Sequence, residues 1–293
     1  MENILEVSGL CKSFGDFKLD NVSFSIPRGA VMGLIGENGA GKTTVIKLIM
    51  NMYGRDGGRI VGFGGLDSSA DEVKFKELTG YVSDEDYFYY NAKMSAVAEA
   101  FSIAFKNWDE RIFEKYTELW NLPMDKKPKE MSKGTKTKMM LAFALAHKPE
   151  LLILDEPTAG LDPAARIEVL DILRDFVSDG EHSVLFSTHI TGDLDKIADY
   201  ITMMINGRST VSMRADEIED KYAVVSGGLS EINGNEDILI GIRKGASSFE
   251  ALIERKDLGR LKNVSVHTPN YENLLTFTIW QSRKDVAEND ARA

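Results

Sequence analysis

The sequence predicts an α/β fold in which helices cover both faces of a parallel β-sheet. Apolar runs at residues 31–35, 151–154 and 183–187 are typical of strands buried in such a sheet. The first run leads through a glycine-rich loop into residues 45–50, an apolar stretch that indicates the start of a helix. A strand, a glycine loop and a helix in this order predict a phosphate-binding P-loop.

Composition and charge limit the classes of protein to which the chain can belong. Its 293 residues allow one large core plus a smaller added domain, and 43% hydrophobic with 28% charged residues is typical of a globular protein. The net charge of −11 argues against a general nucleic-acid-binding surface, which needs excess basic residues. Anionic lipid headgroups do not attract an acidic chain, so any membrane attachment is expected to occur through a protein partner.

The sequence predicts neither a membrane-spanning segment nor a signal peptide. The longest apolar run, residues 139–146, is too short to span a bilayer. The first residues lack the basic start and the apolar stretch of a signal peptide. Cys11 is the single cysteine, which excludes an intrachain disulfide and suits a reducing cytoplasm.

The P-loop spans residues 36–43. Its glycines allow backbone N–H groups to converge on phosphate oxygens without Cβ clashes, and the helix that follows adds unpaired N–H donors. Lys42 is predicted to reach the β- and γ-phosphates, and the Thr43 hydroxyl to hold Mg²⁺. A glycine-rich turn before an ordinary helix is the alternative, but the flanking strand and helix favour the phosphate site. The predicted nucleotide contacts are Gly36, Asn38, Gly39, Ala40, Gly41, Lys42, Thr43 and Thr44.

Polar side chains follow two further strands of the predicted sheet. Asp155 and Glu156 come directly after the strand at 151–154. His189 lies just beyond the strand at 183–187. Ligands bind at the carboxyl ends of parallel strands, so these side chains are expected near the P-loop. Asp155 would support Mg²⁺ through its water shell, and Glu156 would take a proton from an attacking water.

Three other segments carry candidate residues with simpler alternatives. After the strand at 78–82, Asp84 lies where ligands bind, although the residues alone favour a solvated acidic loop. Phe14, in a predicted turn, could stack on an adenine ring, but a lone aromatic is more often part of a core. Ser132 and Gly134 open a helix and could form a second anion site, with N-capping by Ser132 as the alternative.

The predicted domains divide the chain at residue 214. The first, residues 1–214, contains a helical insert at about 91–148. The second, residues 215–293, is predicted as a small α+β unit, with strands near 224–225, 238–242 and 264–266. Its predicted helices cover 249–256 and 269–280, and residues 281–293 are predicted to form a loose charged tail.

Together these motifs resemble those of the nucleotide-binding subunit of ATP-binding cassette (ABC) transporters. Residues 36–43 are similar to Walker A, and residues 151–156 to Walker B with its catalytic glutamate. Residues 159–162 resemble the D-loop, and residues 131–135 resemble the signature motif. The signature's position shortly before Walker B is the feature that other P-loop ATPases lack.

The resemblance implies roles for the remaining candidates. Phe14 is similar to the family's adenine-stacking aromatic and His189 to its switch histidine, which would complete a catalytic set with Glu156 and Lys42. The implied fold is a P-loop NTPase core of the ABC ATPase type with a helical subdomain insert, an antiparallel β subdomain and a small C-terminal α+β extension. ATP would lie between Walker A of one copy and Ser132 and Gly134 of another, so the implied working form is a homodimer.

Two departures from the family pattern bear on the hydrolysis rate. Lys133 and Thr135 replace the usual Gly and Gln of the signature. Asp84 stands where the family's Q-loop has a glutamine. The resemblance therefore implies a metal set of Thr43, Asp84 and Asp155, and the added negative charge is expected to make hydrolysis slow or dependent on a partner.

The function that the resemblance implies is that of an ATPase subunit of an exporter. The chain would work at the cytoplasmic face of the membrane on separate integral-membrane subunits, with peptides as the suggested cargo and no nucleic-acid partner. Those subunits would dock in a groove between residues 84–90 and the helical insert. The alternatives are a soluble ABC-type ATPase that acts as an assembly or repair scaffold, and a nucleotide-binding regulator with little turnover.

Overall fold

A computed structural model describes residues 2–83 and 91–290 of the chain, with side chains as far as residue 287. Asp84 and the aromatic run at 87–90 lie outside the described residues. The described strands are β1 (Asn3–Phe14), β2 (Phe17–Pro27), β3 (Val31–Ile35), β4 (Gly57–Gly62), β5 (Leu66–Asp67), β6 (Thr79–Val82), β7 (Leu151–Asp155), β8 (Ser183–Thr188), β9 (Tyr200–Ile205), β10 (Arg208–Arg214), β11 (Tyr222–Gly228), β12 (Leu239–Lys244), β13 (Ser248–Glu254) and β14 (Ser265–His267). The described α-helices are α1 (Lys42–Ile49), α2 (Glu72–Glu77), α3 (Met94–Ala104), α4 (Glu110–Leu119), α5 (Lys133–Ala146), α6 (Pro163–Val177), α7 (Thr191–Leu194), α8 (Glu217–Lys221) and α9 (Tyr271–Asp290).

The central sheet has the strand order β10–β9–β3–β8–β7–β6. Its neighbouring strands are parallel except for the edge strand β10, which pairs antiparallel with β9. Every residue of β3, β7 and β8 is buried, as expected for strands covered on both faces. The predicted parallel α/β sheet is therefore present, with the P-loop strand at its centre.

Two smaller units pack around this sheet. A second, antiparallel sheet has the order β2–β1–β4–β5 and buries alternate residues of β2 against the core. The helical insert comprises α3, α4 and α5, which share a small core in which the rings of Phe113 and Phe143 lie 5.1 Å apart. Both units agree with the predicted fold class.

The C-terminal unit contains a third sheet, in the order β12–β13–β11–β14, with α9 packed on it. The helix predicted at 249–256 is wrong, because this segment forms strand β13, paired with both β11 and β12. Phe249, Ala251 and Ile253 face one apolar cluster, whereas Leu252 faces the cluster that includes α9. Since both faces of the strand are covered, its side chains lack the alternation that would have distinguished it from a helix.

The loose tail predicted at 281–293 is also wrong over most of its length. Helix α9 continues to Asp290. Gln281 accepts a hydrogen bond from the Gly241 backbone N–H (3.0 Å), and Arg283 forms an ion pair with Glu37 (2.8 Å). These long-range contacts stabilise helical turns whose composition alone indicates a solvated segment. The domain boundary at residue 214 stays a prediction.

His147, at the C-terminal end of α5, provides a test of stability against pH. The ring is buried, stacks on Phe105 at 4.3 Å and lies with Nε2 3.3 Å from the Thr79 carbonyl oxygen. Burial lowers the pKa of His147, because the charged imidazolium loses hydration. As the pH falls below about 6.5, the unfolded chain therefore binds a proton that the folded chain resists.

We expect the free energy of unfolding to decrease from about pH 7 to about pH 5, with His147 contributing at most about 1.4 kcal/mol per pH unit. In His147→Gln this part of the slope should be absent, as measured by urea unfolding at several pH values. His182→Gln, at a more exposed histidine, is the control and should leave this contribution in place. An unchanged slope in His147→Gln would contradict the assignment.

Candidate functional site

The strand order brings three loops to one edge of the central sheet. In the register of β3 with β8, Ile35 lies beside Thr188. In the register of β7 with β8, Asp155 lies beside Ser187. The P-loop, the Asp155–Glu156 pair and His189 therefore extend from adjacent strand ends. Of the residues that the sequence predicts to meet there, Lys42, Asp155, Glu156 and His189 lie at this edge.

The backbone of the P-loop requires glycine at several positions. Gly39 and Gly41 have φ angles of 83° and 106°, in the left-handed region that side chains rarely adopt. At Gly36 a Cβ atom would lie 2.5 Å from the Met204 carbonyl oxygen. The loop then enters α1 with Gly41 at the N-cap position, and Gly41 supplies no side-chain hydrogen bond to the first backbone N–H groups. Such free N–H donors at a helix N-terminus suit a phosphate group.

Lys42 lies beneath this loop and is only 5% exposed. Its Nζ donates to the carbonyl oxygens of Gly36 (2.8 Å) and Glu37 (3.3 Å). It is also 3.4 Å from Glu156 Oε1, across the gap between the P-loop and β7. The cation is thus held at the centre of the candidate site by the loop and by the carboxylate that follows β7.

Glu156 contacts both Lys42 and the loop that carries His189. Its Oε2 accepts a hydrogen bond from His189 Nδ1 (2.8 Å) and a longer one from the Thr188 hydroxyl (3.3 Å). Its Oε1 is buried and accepts no hydrogen bond from the described residues. The backbone of Glu156 has a φ of 50°, an uncommon conformation for a residue with a side chain. The geometry therefore fixes Oε2 by hydrogen bonds and leaves Oε1 facing Lys42.

Asp155 provides a buried carboxylate at the same edge, with 2% of its surface exposed. It accepts hydrogen bonds from the hydroxyls of Ser187 (2.9 Å) and Thr43. Burial raises the pKa of Asp155 above its ordinary value, and these two hydrogen bonds offset part of that effect. Hydroxyl and carboxylate oxygens are the donors that Mg²⁺ prefers, so this pair fits a magnesium ion. Among the described residues no cluster of three or more His, Cys, Asp or Glu could hold a metal by itself.

Ser132 and Gly134 lie in a different crevice from Lys42. Ser132 caps α5 by accepting a hydrogen bond from the Thr135 backbone N–H (3.2 Å), so N-capping is real. The crevice has a volume of about 980 Å³ and is also lined by Gly160 and Asp162, at the start of α6. None of its described lining residues belongs to the P-loop. Within one copy, the two predicted anion sites remain apart.

Phe14 lies at the end of β1 and is 38% exposed. Its ring makes an edge-to-face contact with Tyr53 at a centroid distance of 5.2 Å. Lys12 Nζ lies 5.3 Å from the same ring centroid. One part of the aromatic surface thus remains accessible, as stacking on a base would require.

One buried hydrogen bond, between Thr158 and Asp193, was not predicted from the sequence. The Thr158 hydroxyl donates to Asp193 Oδ2 (2.7 Å), and Arg166 Nε lies 3.7 Å from the same oxygen. Asp193, in α7, is only 2% exposed, and the link joins the segment after Glu156 to the segment after His189. The two hydrogen-bonded residues are 35 positions apart and belong to no short motif, so the sequence carried no local signal for their contact.

Comparisons with known proteins show the family that this chain resembles. The family model described as "ABC transporter" matches residues 19–159, and one described as an AAA domain matches residues 127–192. The lantibiotic transport ATP-binding protein SrtF of Streptococcus pyogenes is 31% identical over 223 residues, covering 74% of this chain and 93% of that protein. The bacitracin transport ATP-binding protein BcrA of Enterococcus faecalis is 28% identical, covering 75% of this chain and 72% of that protein. A solved structure of an ATP-binding subunit of an ABC transporter is 27% identical, with a TM-score of 0.67 over 74% of this chain and 92% of that one.

Proposed function

This chain belongs to the ABC transporter family of ATP-binding proteins, and we propose from this premise that it hydrolyses ATP to power an exporter of peptides. Family membership confirms the predicted fold type and ATPase class. The observation that carries the detailed proposal is the Glu156 carboxylate, which lies between Lys42 and His189 at the end of β7. The cargo is proposed from the relatives' names, which describe lantibiotic and bacitracin transport.

The proposed roles follow from the contacts of each side chain. The N–H groups of the P-loop and Lys42 bind the β- and γ-phosphates, which draws the Lys42 cation toward the substrate and away from Glu156. Oε1 of Glu156 then accepts the proton of the attacking water while His189 holds Oε2 in place. Phe14 stacks on the adenine.

We propose that Thr43 and Asp155 hold Mg²⁺, with Asp84 as a further ligand. Magnesium neutralises phosphate charge during phosphoryl transfer. The Thr43 hydroxyl and the buried Asp155 carboxylate support this assignment, since both present oxygen to the same region. Asp84 is proposed as a magnesium ligand from the family resemblance alone.

We propose that the active form is a homodimer in which each nucleotide lies between Lys42 of one copy and Ser132 and Gly134 of the other. The separation of these residues within one copy supports the arrangement, because each copy then holds two half-sites. Closure of the dimer would complete each site, and hydrolysis would allow it to open.

Mixing two inactive variants tests whether the sites are shared between copies. Lys42→Ala should lack the first half-site, and Ser132→Arg the second, because its bulk fills the space of the neighbour's phosphates. A mixed dimer has one intact site, so an equal mixture should recover about a quarter of the wild-type sites. The measurement is ATP hydrolysis by each variant alone and by the mixture after exchange of subunits. Full activity of Ser132→Arg alone, or no recovery on mixing, would contradict the shared site.

The proposed membrane partner docks in a groove between the sheet and the helical insert. The groove has a volume of about 650 Å³, and its described lining includes the apolar side chains of Tyr81, Val97, Phe101 and Phe105. A short helix of a membrane subunit fits such an apolar surface. No helix among residues 2–83 and 91–290 is long and apolar enough to span a membrane. We propose that the chain attaches at the cytoplasmic face through this partner.

Purification of the tagged chain from detergent-extracted membranes tests the partner. An integral-membrane protein should co-purify, and Phe101→Glu, which places a charge in the groove, should reduce its recovery. Loss of the partner with retained ATP binding would locate the contact. If no membrane protein accompanies the wild-type chain, the soluble scaffold becomes the better interpretation.

A further inference from the structure

We propose that helix α9 couples the C-terminal unit to the nucleotide site, with Arg283 as a residue that positions the P-loop. The proposal rests on the P-loop being the site of ATP binding. It assigns a role to the segment after residue 214, which the function proposed above leaves without one. Three contacts, at the end, the middle and the beginning of α9, carry it.

The first contact joins α9 directly to the P-loop. Arg283 Nη2 lies 2.8 and 2.9 Å from the two carboxylate oxygens of Glu37, a residue 246 positions earlier in the chain. Asn206, in the turn between β9 and β10, adds a longer contact of 3.4 Å from its Nδ2 to Ser282 Oγ. The backbone carbonyl of Glu37 also accepts from Lys42 Nζ (3.3 Å). Arg283 thus holds the residue whose backbone helps to hold the catalytic-site lysine.

The second contact fixes α9 to the C-terminal sheet. Gly241, in β12, has a φ of 58°, and a Cβ atom built on it would lie 2.1 Å from the Phe277 carbonyl oxygen. Its backbone N–H donates to Gln281 Oε1 (3.0 Å), two residues before Arg283. Such close backbone packing leaves no room for α9 to move independently of β12. A displacement of the sheet is therefore transmitted to Arg283.

The third contact places the first turn of α9 beside the loop of His189. The Tyr271 backbone lies near the carboxylate of Asp195, which directly follows α7, and α9 packs against α7. The Tyr271 side chain is itself buried at this junction. Helix α9 therefore contacts the segment after His189 at its beginning and the P-loop near its end. A single helix of the C-terminal unit therefore contacts two segments of the nucleotide site.

The ion pair between Arg283 and Glu37 has a definite consequence for nucleotide affinity. Without Arg283, the Glu37 carboxylate is unpaired on a loop that binds a polyphosphate, and it repels that anion. Both side chains are well exposed, 64% for Arg283 and 49% for Glu37, so solvent screens the effect. We expect Arg283→Ala to raise the Kd for MgATP about two- to fivefold, with a smaller change in kcat. By reciprocity, bound MgATP should stabilise the docked α9.

A double-mutant cycle separates this role from general stabilisation. MgATP affinity is measured by calorimetry for the wild type, Arg283→Ala, Glu37→Gln and the double variant. If Arg283 acts through Glu37, its removal should change the Kd less than about 1.5-fold in the Glu37→Gln background. Arg243→Ala is the matched control, because Arg243 forms an ion pair with Glu250 (2.8 Å) of similar exposure on the same C-terminal sheet. This control should leave MgATP affinity unchanged.

Hydrogen exchange measures the coupling in the other direction. MgATP should slow the exchange of backbone amides at residues 271–290 in the wild type, and Arg283→Ala should lose this protection. Equal effects of Arg283→Ala in both Glu37 backgrounds, or unchanged protection of α9, would overturn the proposal. Lys42→Ala serves as the reference: if it binds MgATP normally, the proposed contact between Lys42 and the phosphates is wrong, whereas a failure confined to Arg283 overturns only the coupling.

Discussion

Replacing Glu156 with Gln is expected to lower ATP turnover by at least about a hundredfold while nucleotide binding is retained. The amide keeps the size of the side chain. Its carbonyl oxygen can still accept the hydrogen bond from His189 Nδ1, which in the wild type lies 2.8 Å from Glu156 Oε2. The variant loses the basic oxygen that would accept the proton of the attacking water. In the wild type this oxygen is Oε1, which is buried and lies 3.4 Å from Lys42 Nζ. Binding should persist because the phosphate contacts come from the P-loop.

The same variant reports on assembly. Since the dimer would close on ATP and open after hydrolysis, Glu156→Gln with MgATP should accumulate as a dimer in size-exclusion chromatography with light scattering. Glu168→Gln is a matched control, because it removes a carboxylate on α6 that forms an ion pair with Lys138 on α5 (2.7 Å). Turnover should stay near the wild-type rate in this control. Near-normal turnover in Glu156→Gln would remove Glu156 from the role of general base.

Local spacing made most of the candidate site predictable from the sequence. The P-loop lies within eight consecutive residues between a buried strand and a helix, so its geometry depends little on distant packing. Asp155, Glu156 and His189 were predictable because the ends of parallel strands meet at one edge, whatever lies between them along the chain. The roles assigned to these residues remain proposals that the variants described here test.

The errors lie where distant packing decides the structure. The sequence predicts a helix where strand β13 forms, because α9, some 20 residues later, covers the second face of the strand through Leu252 and hides the alternation. The sequence predicts a loose tail at the last turns of α9, because their partners, Gly241 and Glu37, lie far away in sequence. The buried Thr158–Asp193 contact was missed for the same reason. A sequence pattern records which residues are apolar, not which distant element covers them.

Lys42→Ala is expected to weaken MgATP binding by roughly tenfold to a hundredfold. A hydrogen bond from a charged donor is worth about 1.5–3 kcal/mol, and Lys42 is the buried cation of the P-loop. Its loss also leaves the carbonyl oxygens of Gly36 and Glu37 without the donor that now lies 2.8 and 3.3 Å away. Calorimetric titration measures the affinity, and the rise in Tm with added MgATP should shrink in proportion to the logarithm of the affinity lost.

The choice of controls decides what this result means. Lys42→Arg keeps the charge, but its larger guanidinium does not fit a site that leaves lysine only 5% exposed, so it should not restore affinity. Lys115→Ala removes a cation from α4, where Nζ lies 5.0 Å from the Tyr116 ring, and should leave MgATP binding unchanged. If Lys42→Ala binds ATP as tightly as the wild type, the lysine does not contact the phosphates. In that case the ion pair with Glu156 is its main role, and the loss of activity should appear in kcat alone.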